Sequence, residues 1–75
     1  MDSETQTFLD RVAEVLEVPS IALGDDFRTA PLWGSLAGFS LMVMVENEYG
    51  RVLTAADVQA ARTVGDLARK VGVIG

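Results

Sequence analysis

Apolar residues recur along this chain at helical rather than strand spacing. In the first segment Phe8, Val12, Val15 and Leu16 fall at i, i+4, i+7 and i+8, one face of a 3.6-residue period. Ser3-Glu4-Thr5-Gln6 reads as a capping box that opens this helix, in which side chains satisfy the free backbone donors of the first turn. Pro19 is expected to end it, because proline disfavours helical geometry in the residue before it and has no amide to donate. Further on, Thr54-Ala55-Ala56-Asp57 opens a short helix to about Ala61. Thr63-Val64-Gly65-Asp66 opens the last one, with Val64, Leu67 and Val71 on one stripe and Gly72 as a left-handed stop. Strand signals are poor, so the pattern predicts an all-α chain of four helices, three principal and one short.

The second helix is read from Ser35, at the N-cap position, to Tyr49, with Gly50 as its stop. Leu41, Met42, Val45 and Tyr49 cluster on one side, as a core-facing stripe does. The opposite side, where polar residues belong, holds Leu36, Phe39 and Val43, interrupted by Ser40, Glu46 and Asn47. Four helices cannot bury a helix on every side, so either the neighbouring loop folds over this second face or a partner docks there. That loop runs from Val18 to Gly34, long for a small domain, and Ile21, Leu23, Phe27 and Leu32 are expected to pin it to the bundle. Trp33 either anchors the loop or touches whatever is attached nearby. Gly38 costs the helix about 1 kcal/mol relative to alanine, which close approach of the loop or another helix would explain.

Composition narrows the function. Seventy-five residues make one domain, 1–75, and 49% hydrophobic residues supply a core. There is no cysteine and no histidine, so disulfides, thiolate metal sites and the commonest general base are excluded. A serine hydrolase fails on the same inventory, since Lys70 is the single lysine. No metal site is expected: Asp25 and Asp26 lack the spaced ligands and terminal glutamate of a calcium loop, and either shape the turn after Gly24 or add to an acidic field. Residues 1–50 carry nine acids and two bases, whereas residues 51–75 carry two acids and four bases. The acidic two-thirds repel nucleic acid and anionic membranes and suit a protein partner with a positive surface. With no membrane-length apolar run and an acidic start at Met1-Asp2-Ser3-Glu4, a soluble cytoplasmic monomer is expected.

Asp25-Asp26-Phe27, Leu32-Trp33-Gly34-Ser35-Leu36, Leu41, Glu46-Asn47-Glu48-Tyr49-Gly50, Leu53 and Thr63-Val64 with Leu67 together resemble the pattern of acyl and peptidyl carrier proteins, over essentially the whole chain. The resemblance implies a four-helix bundle of the acyl carrier type, with a long loop between helices one and two. It implies that Ser35 is esterified by the 4′-phosphopantetheine of coenzyme A, whose thiol then holds an acyl or aminoacyl group as a thioester. Leu36, Phe39, Val43, Glu46 and Glu48 would meet partner enzymes. Those partners would be a phosphopantetheinyl transferase and acyltransferase, ketosynthase or adenylation-type enzymes with basic docking patches. A freestanding carrier of a fatty-acid, polyketide or nonribosomal peptide type pathway is expected, not an enzyme. One position departs from the pattern: many carriers place aspartate before the modified serine, where it helps the transferase hold its magnesium or a basic residue, and this chain has Gly34. That departure sustains a rival, an unmodified helical interaction domain descended from a carrier.

The residues themselves suit the first reading. A modified serine needs exposure, a rigid element and no neighbouring group that would hydrolyse the cargo, and the start of a helix after a pinned loop meets these needs. The helix N-terminus also favours an attached phosphodiester by about 0.3–1 kcal/mol. Glu46 and Glu48 carry the wrong sign for the end of their helix, which costs a few tenths of a kcal/mol each and fits a use in steering basic partners.

Overall fold

The apolar stripe of the first segment forms α1 (Ser3–Leu16) in the computed structural model, which describes residues 3–74. Phe8, Leu9, Val12, Ala13 and Leu16 are buried along it, and Val15 is half-buried. The expected box at its start does not form as read. Ser3 is already helical, its carbonyl accepts from Thr7 Oγ1 (2.7 Å), and the Gln6 amide donates to Asp10 instead (2.9 Å). The helix stops two residues ahead of Pro19's neighbour, through a Schellman turn. Glu17 sits at a left-handed φ of 57°, its N–H bonds the Glu14 carbonyl (3.1 Å), and the Val18 N–H bonds that of Ala13 (3.0 Å).

α2 (Ser35–Tyr49), α3 (Ala55–Ala60) and α4 (Val64–Val71) complete the bundle. Among the described residues there is no strand, and the all-α architecture of three principal helices and a short third one is as expected. α1 packs on α2 and α4, and α3 bridges α2 and α4. Leu41 and Val45 from α2 meet Phe8 and Leu16 from α1 and Val64 and Leu67 from α4 in one core, with Phe27 from the loop fully buried among them. At the rim, Arg11 clips α1 to the end of α2. Its Nη2 pairs with Glu48 Oε1 (3.1 Å), its Nη1 donates to the Tyr49 hydroxyl (3.2 Å), and Phe8 meets the Tyr49 ring edge-on at 5.7 Å.

Both predicted boxes in the second half are present. Thr54 Oγ1 accepts from the Asp57 N–H and Asp57 Oδ2 from the Thr54 N–H; Thr63 and Asp66 repeat the pair on α4. Backbone donation from Thr54 holds the Asp57 carboxyl below the usual aspartate range. Donation from Arg62 and then Thr63 does the same for Asp66. Gly50 (φ 65°) and Gly72 (φ 91°) end α2 and α4 in the left-handed region, as read from the sequence.

The long loop is pinned from both sides. Asp25 and Asp26 are turn residues: Asp25 Oδ2 accepts from the Ala22 N–H (2.8 Å), and Asp26 Oδ1 accepts from the Arg28 N–H (2.9 Å), starting a 3-10 turn over Phe27–Thr29. Loop carbonyls then take the first amides of α4, Val64 N–H to Asp25 (2.9 Å) and Gly65 N–H to Leu23 (2.7 Å). Phe27 is buried and Ile21 and Leu23 are half-buried, but Leu32 is 59% exposed and pins nothing. The Trp33 N–H closes a tight turn onto the Ala30 carbonyl (3.0 Å), which leaves Pro31 and Leu32 at its tip. No helix among the described residues is long and apolar enough to cross a membrane.

Candidate functional site

Ser35 stands exposed at the first residue of α2, not at the cap position expected for it. The Gly34 carbonyl takes the first intrahelical bond, from the Gly38 N–H (3.0 Å), so the cap falls one residue earlier, on Gly34. Gly34 has no side chain to cap with, and the amides of Ser35, Leu36 and Ala37 precede the first helical bond. These donors lie at the positive end of a 15-residue helix that begins with Ser35. Gly34 is extended, and a Cβ placed on it would meet nothing within 4 Å.

The loop that delivers Ser35 is rigid at its last step. The Trp33 ring lies edge-on to buried Phe27, centroids 5.2 Å apart, and its far edge covers Gly38, where an added Cβ would stand 3.5 Å from it. Trp33 therefore anchors the loop, but its approach leaves room for a Cβ at Gly38 and does not require the glycine expected to mark a close approach. Trp33 also lines a cleft of about 490 Å³ between α2 and α3, shared with Ser35, Gly38, Met42, Val58 and Gln59. Among the described residues no carboxylate or imidazole lines this cleft, so none of them stands there as a general base for the Ser35 proton.

Arg28 lines the same cleft and was not singled out from the sequence. Its guanidinium lies 4.7 Å over the Phe27 ring, and Nη2 donates to the carbonyls of Ala61 and Gln59 at the end of α3. Nη1 is shut off from water and has no hydrogen-bond partner among the described residues. An unmade bond on a buried charged donor costs about 1–3 kcal/mol. The available signal was its rarity: it is one of two bases among the first fifty residues.

The five residues expected to meet partners occupy one helix but not one environment. Leu36 is 79% exposed, Phe39 59% and Val43 40%, and the loop does not cover them. Glu46 is exposed beyond them. Glu48 is exposed but turned toward α1, where Arg11 holds it. Leu36, Phe39 and Val43 border a shallow groove that continues through Met44 to Glu14 and Glu48, so the apolar strip has an acidic edge.

The family model described as a phosphopantetheine attachment site matches residues 6–71. Comparison with curated proteins and with solved structures returns no match.

Proposed function

As the chain belongs to the phosphopantetheine attachment-site family, whose members carry 4′-phosphopantetheine covalently on a serine, we propose that Ser35 is the serine modified here. The observation that carries this reading is exposed Ser35 at the start of α2, delivered by a pinned loop and bordered by a cleft that no general base among the described residues lines. The residues suit the group: free amides of the first turn can donate to its phosphodiester oxygens, and the cleft beside Ser35 can shelter the arm. When bound, the group supplies a thiol on a flexible arm, the one sulfhydryl of a chain without cysteine.

The chain then works as a single carrier domain. It holds acyl or aminoacyl groups as thioesters and presents them, in the cytoplasm, to enzymes of fatty-acid, polyketide or nonribosomal peptide type biosynthesis. A carrier is a substrate for its partners, and the catalytic groups are theirs. Leu36, Phe39 and Val43 form the apolar contact and Glu46 and Glu48 its acidic edge, an arrangement suited to brief encounters with basic patches. On this reading Val43→Asp or Glu46→Lys lowers acyl transfer with the fold intact; unchanged transfer in both variants would sink the docking assignment.

Gly34 favours a second reading, an unmodified interaction domain that keeps the docking helix. Intact mass after incubation with coenzyme A, magnesium and a permissive phosphopantetheinyl transferase separates the two. Gain of one phosphopantetheinyl unit, absent in Ser35→Ala, is expected. A gain confined to Gly34→Asp would mean a carrier fold lacking the residue that lets it be charged, and no gain in any variant would favour the interaction domain.

A further inference from the structure

We propose that the seam between α1 and α2 is a docking groove for a partner helix, one that buries an apolar side chain against Phe39 and Val43 and sets an arginine or lysine beside Glu14 of α1. This rests on the apolar face of α2 being a docking face, and it adds the second wall. Leu36, Phe39 and Val43 fall at i, i+3 and i+7 and are 79%, 59% and 40% exposed. That is the spacing along which one helix lies on another. Across the seam, half-buried Val15 of α1 joins Met44 of α2 in lining a groove of about 450 Å³ that the chain's own loops leave open. The apolar strip is therefore one side of a trough and not an isolated ridge.

Charge decides the occupant. Glu48 at the far end of the groove is already matched, since Arg11 Nη2 stands 3.1 Å from its Oε1. Glu14 is exposed in the same groove, and among the described residues its carboxylate has neither an ion pair nor a hydrogen bond. No base among the described residues lines the groove, so an incoming cation meets attraction and an incoming carboxylate meets two like charges. A second copy fits poorly: a two-fold pairing of this face brings the same acids together. A helix with an apolar anchor and a cation one turn away satisfies both walls.

The probe is a synthetic helical peptide of about four turns, leucine along one face and lysine at its borders, titrated into the isotope-labelled chain and followed by NMR. Shifts are expected to centre on Glu14, Val15, Phe39 and Val43. Glutamate in place of the peptide's lysines is expected to weaken binding about tenfold, and Glu14→Lys in the chain about fivefold. Val52→Asp, at an exposed apolar residue outside the groove, is expected to change nothing. Should Glu14→Lys disturb α1, the glutamate peptide on the parent chain decides alone. Absence of binding would overturn the proposal, and so would equal binding of the two peptides or an equal loss in Val52→Asp. Shifts on α2 that spare α1 would overturn it while leaving the apolar face of α2 a docking face. The same shifts appearing on concentration of the chain alone, with dimers in sedimentation, would give the groove to a second copy and overturn it too. Ser35 enters none of these measurements, so its modification is read separately, by the mass experiment.

Discussion

Two glycines one helical turn from a loop should respond to alanine in opposite directions. At Gly38, inside α2, a Cβ would stand 3.5 Å from the Trp33 ring edge, ordinary van der Waals contact, so the substitution collects the helix preference of alanine without displacing anything. The expected gain is about 0.5–1 kcal/mol, which in a domain of this size raises Tm by about 2–8 °C. At Gly65, in the first turn of α4, the Cβ would stand 3.1 Å from the Leu23 carbonyl oxygen, the same atom that accepts the Gly65 N–H at 2.7 Å. The loop has to retreat, and the hydrogen bond that fastens it lengthens or breaks. Losing a bond of about 0.5–1.5 kcal/mol exceeds the small preference available in a first turn, so Gly65→Ala should lower stability by up to about 1 kcal/mol. Urea unfolding of the two variants, fitted with a common slope, reads both changes. A loss at Gly38 or a gain at Gly65 would refute the assignment of Trp33 and Leu23 as the deciding neighbours.

Three further outcomes are expected. Glu17→Gly relieves a left-handed residue at the end of α1 and should raise stability by about 1 kcal/mol in urea unfolding. Gly34→Asp adds a side chain into open space at an N-cap and should stabilise α2 by a few tenths of a kcal/mol, seen as a small rise in Tm apart from any effect on modification. Asp57 and Asp66 titrate lower in the folded chain than in the unfolded one. Their contribution is therefore complete above the ordinary aspartate pKa and is lost as pH falls through the lowered folded values. Unfolding curves from about pH 5 downward should steepen this loss in the parent and flatten it in the Asp57→Asn, Asp66→Asn double variant.

What could be read from the residues was what local chemistry decides. Thr54 with Asp57 and Thr63 with Asp66 cap as written because each box closes within three residues, and the stripe through Phe8, Val12 and Leu16 needs only one buried face. Ser3 and Gln6 offered the same spacing, yet Ser3 is itself helical, and Gln6 found Asp10 one turn on. The uncovered face of α2 was legible because Leu36, Phe39 and Val43 had no polar alternative. Leu32 was misjudged because its burial depended on where a turn tip falls, which hydrophobicity does not encode. Arg28 went unread for a related reason: a lone base acquires meaning only when residues thirty positions away, at the end of α3, arrange themselves around it.

The loop that positions Ser35 takes its fixings from the far end of the chain, since Leu23 and Asp25 grip the first amides of α4 and Arg28 grips the last carbonyls of α3. During synthesis, the serine emerges well before the residues that hold it still. On the proposed reading of Ser35, a chain stopped short of Thr63 has the hydroxyl and the helix but an unfastened approach to them, so the address for modification is completed only when α4 is made. The order of translation would then act as a gate, the proposed target for a transferase becoming defined only once α4 can dock.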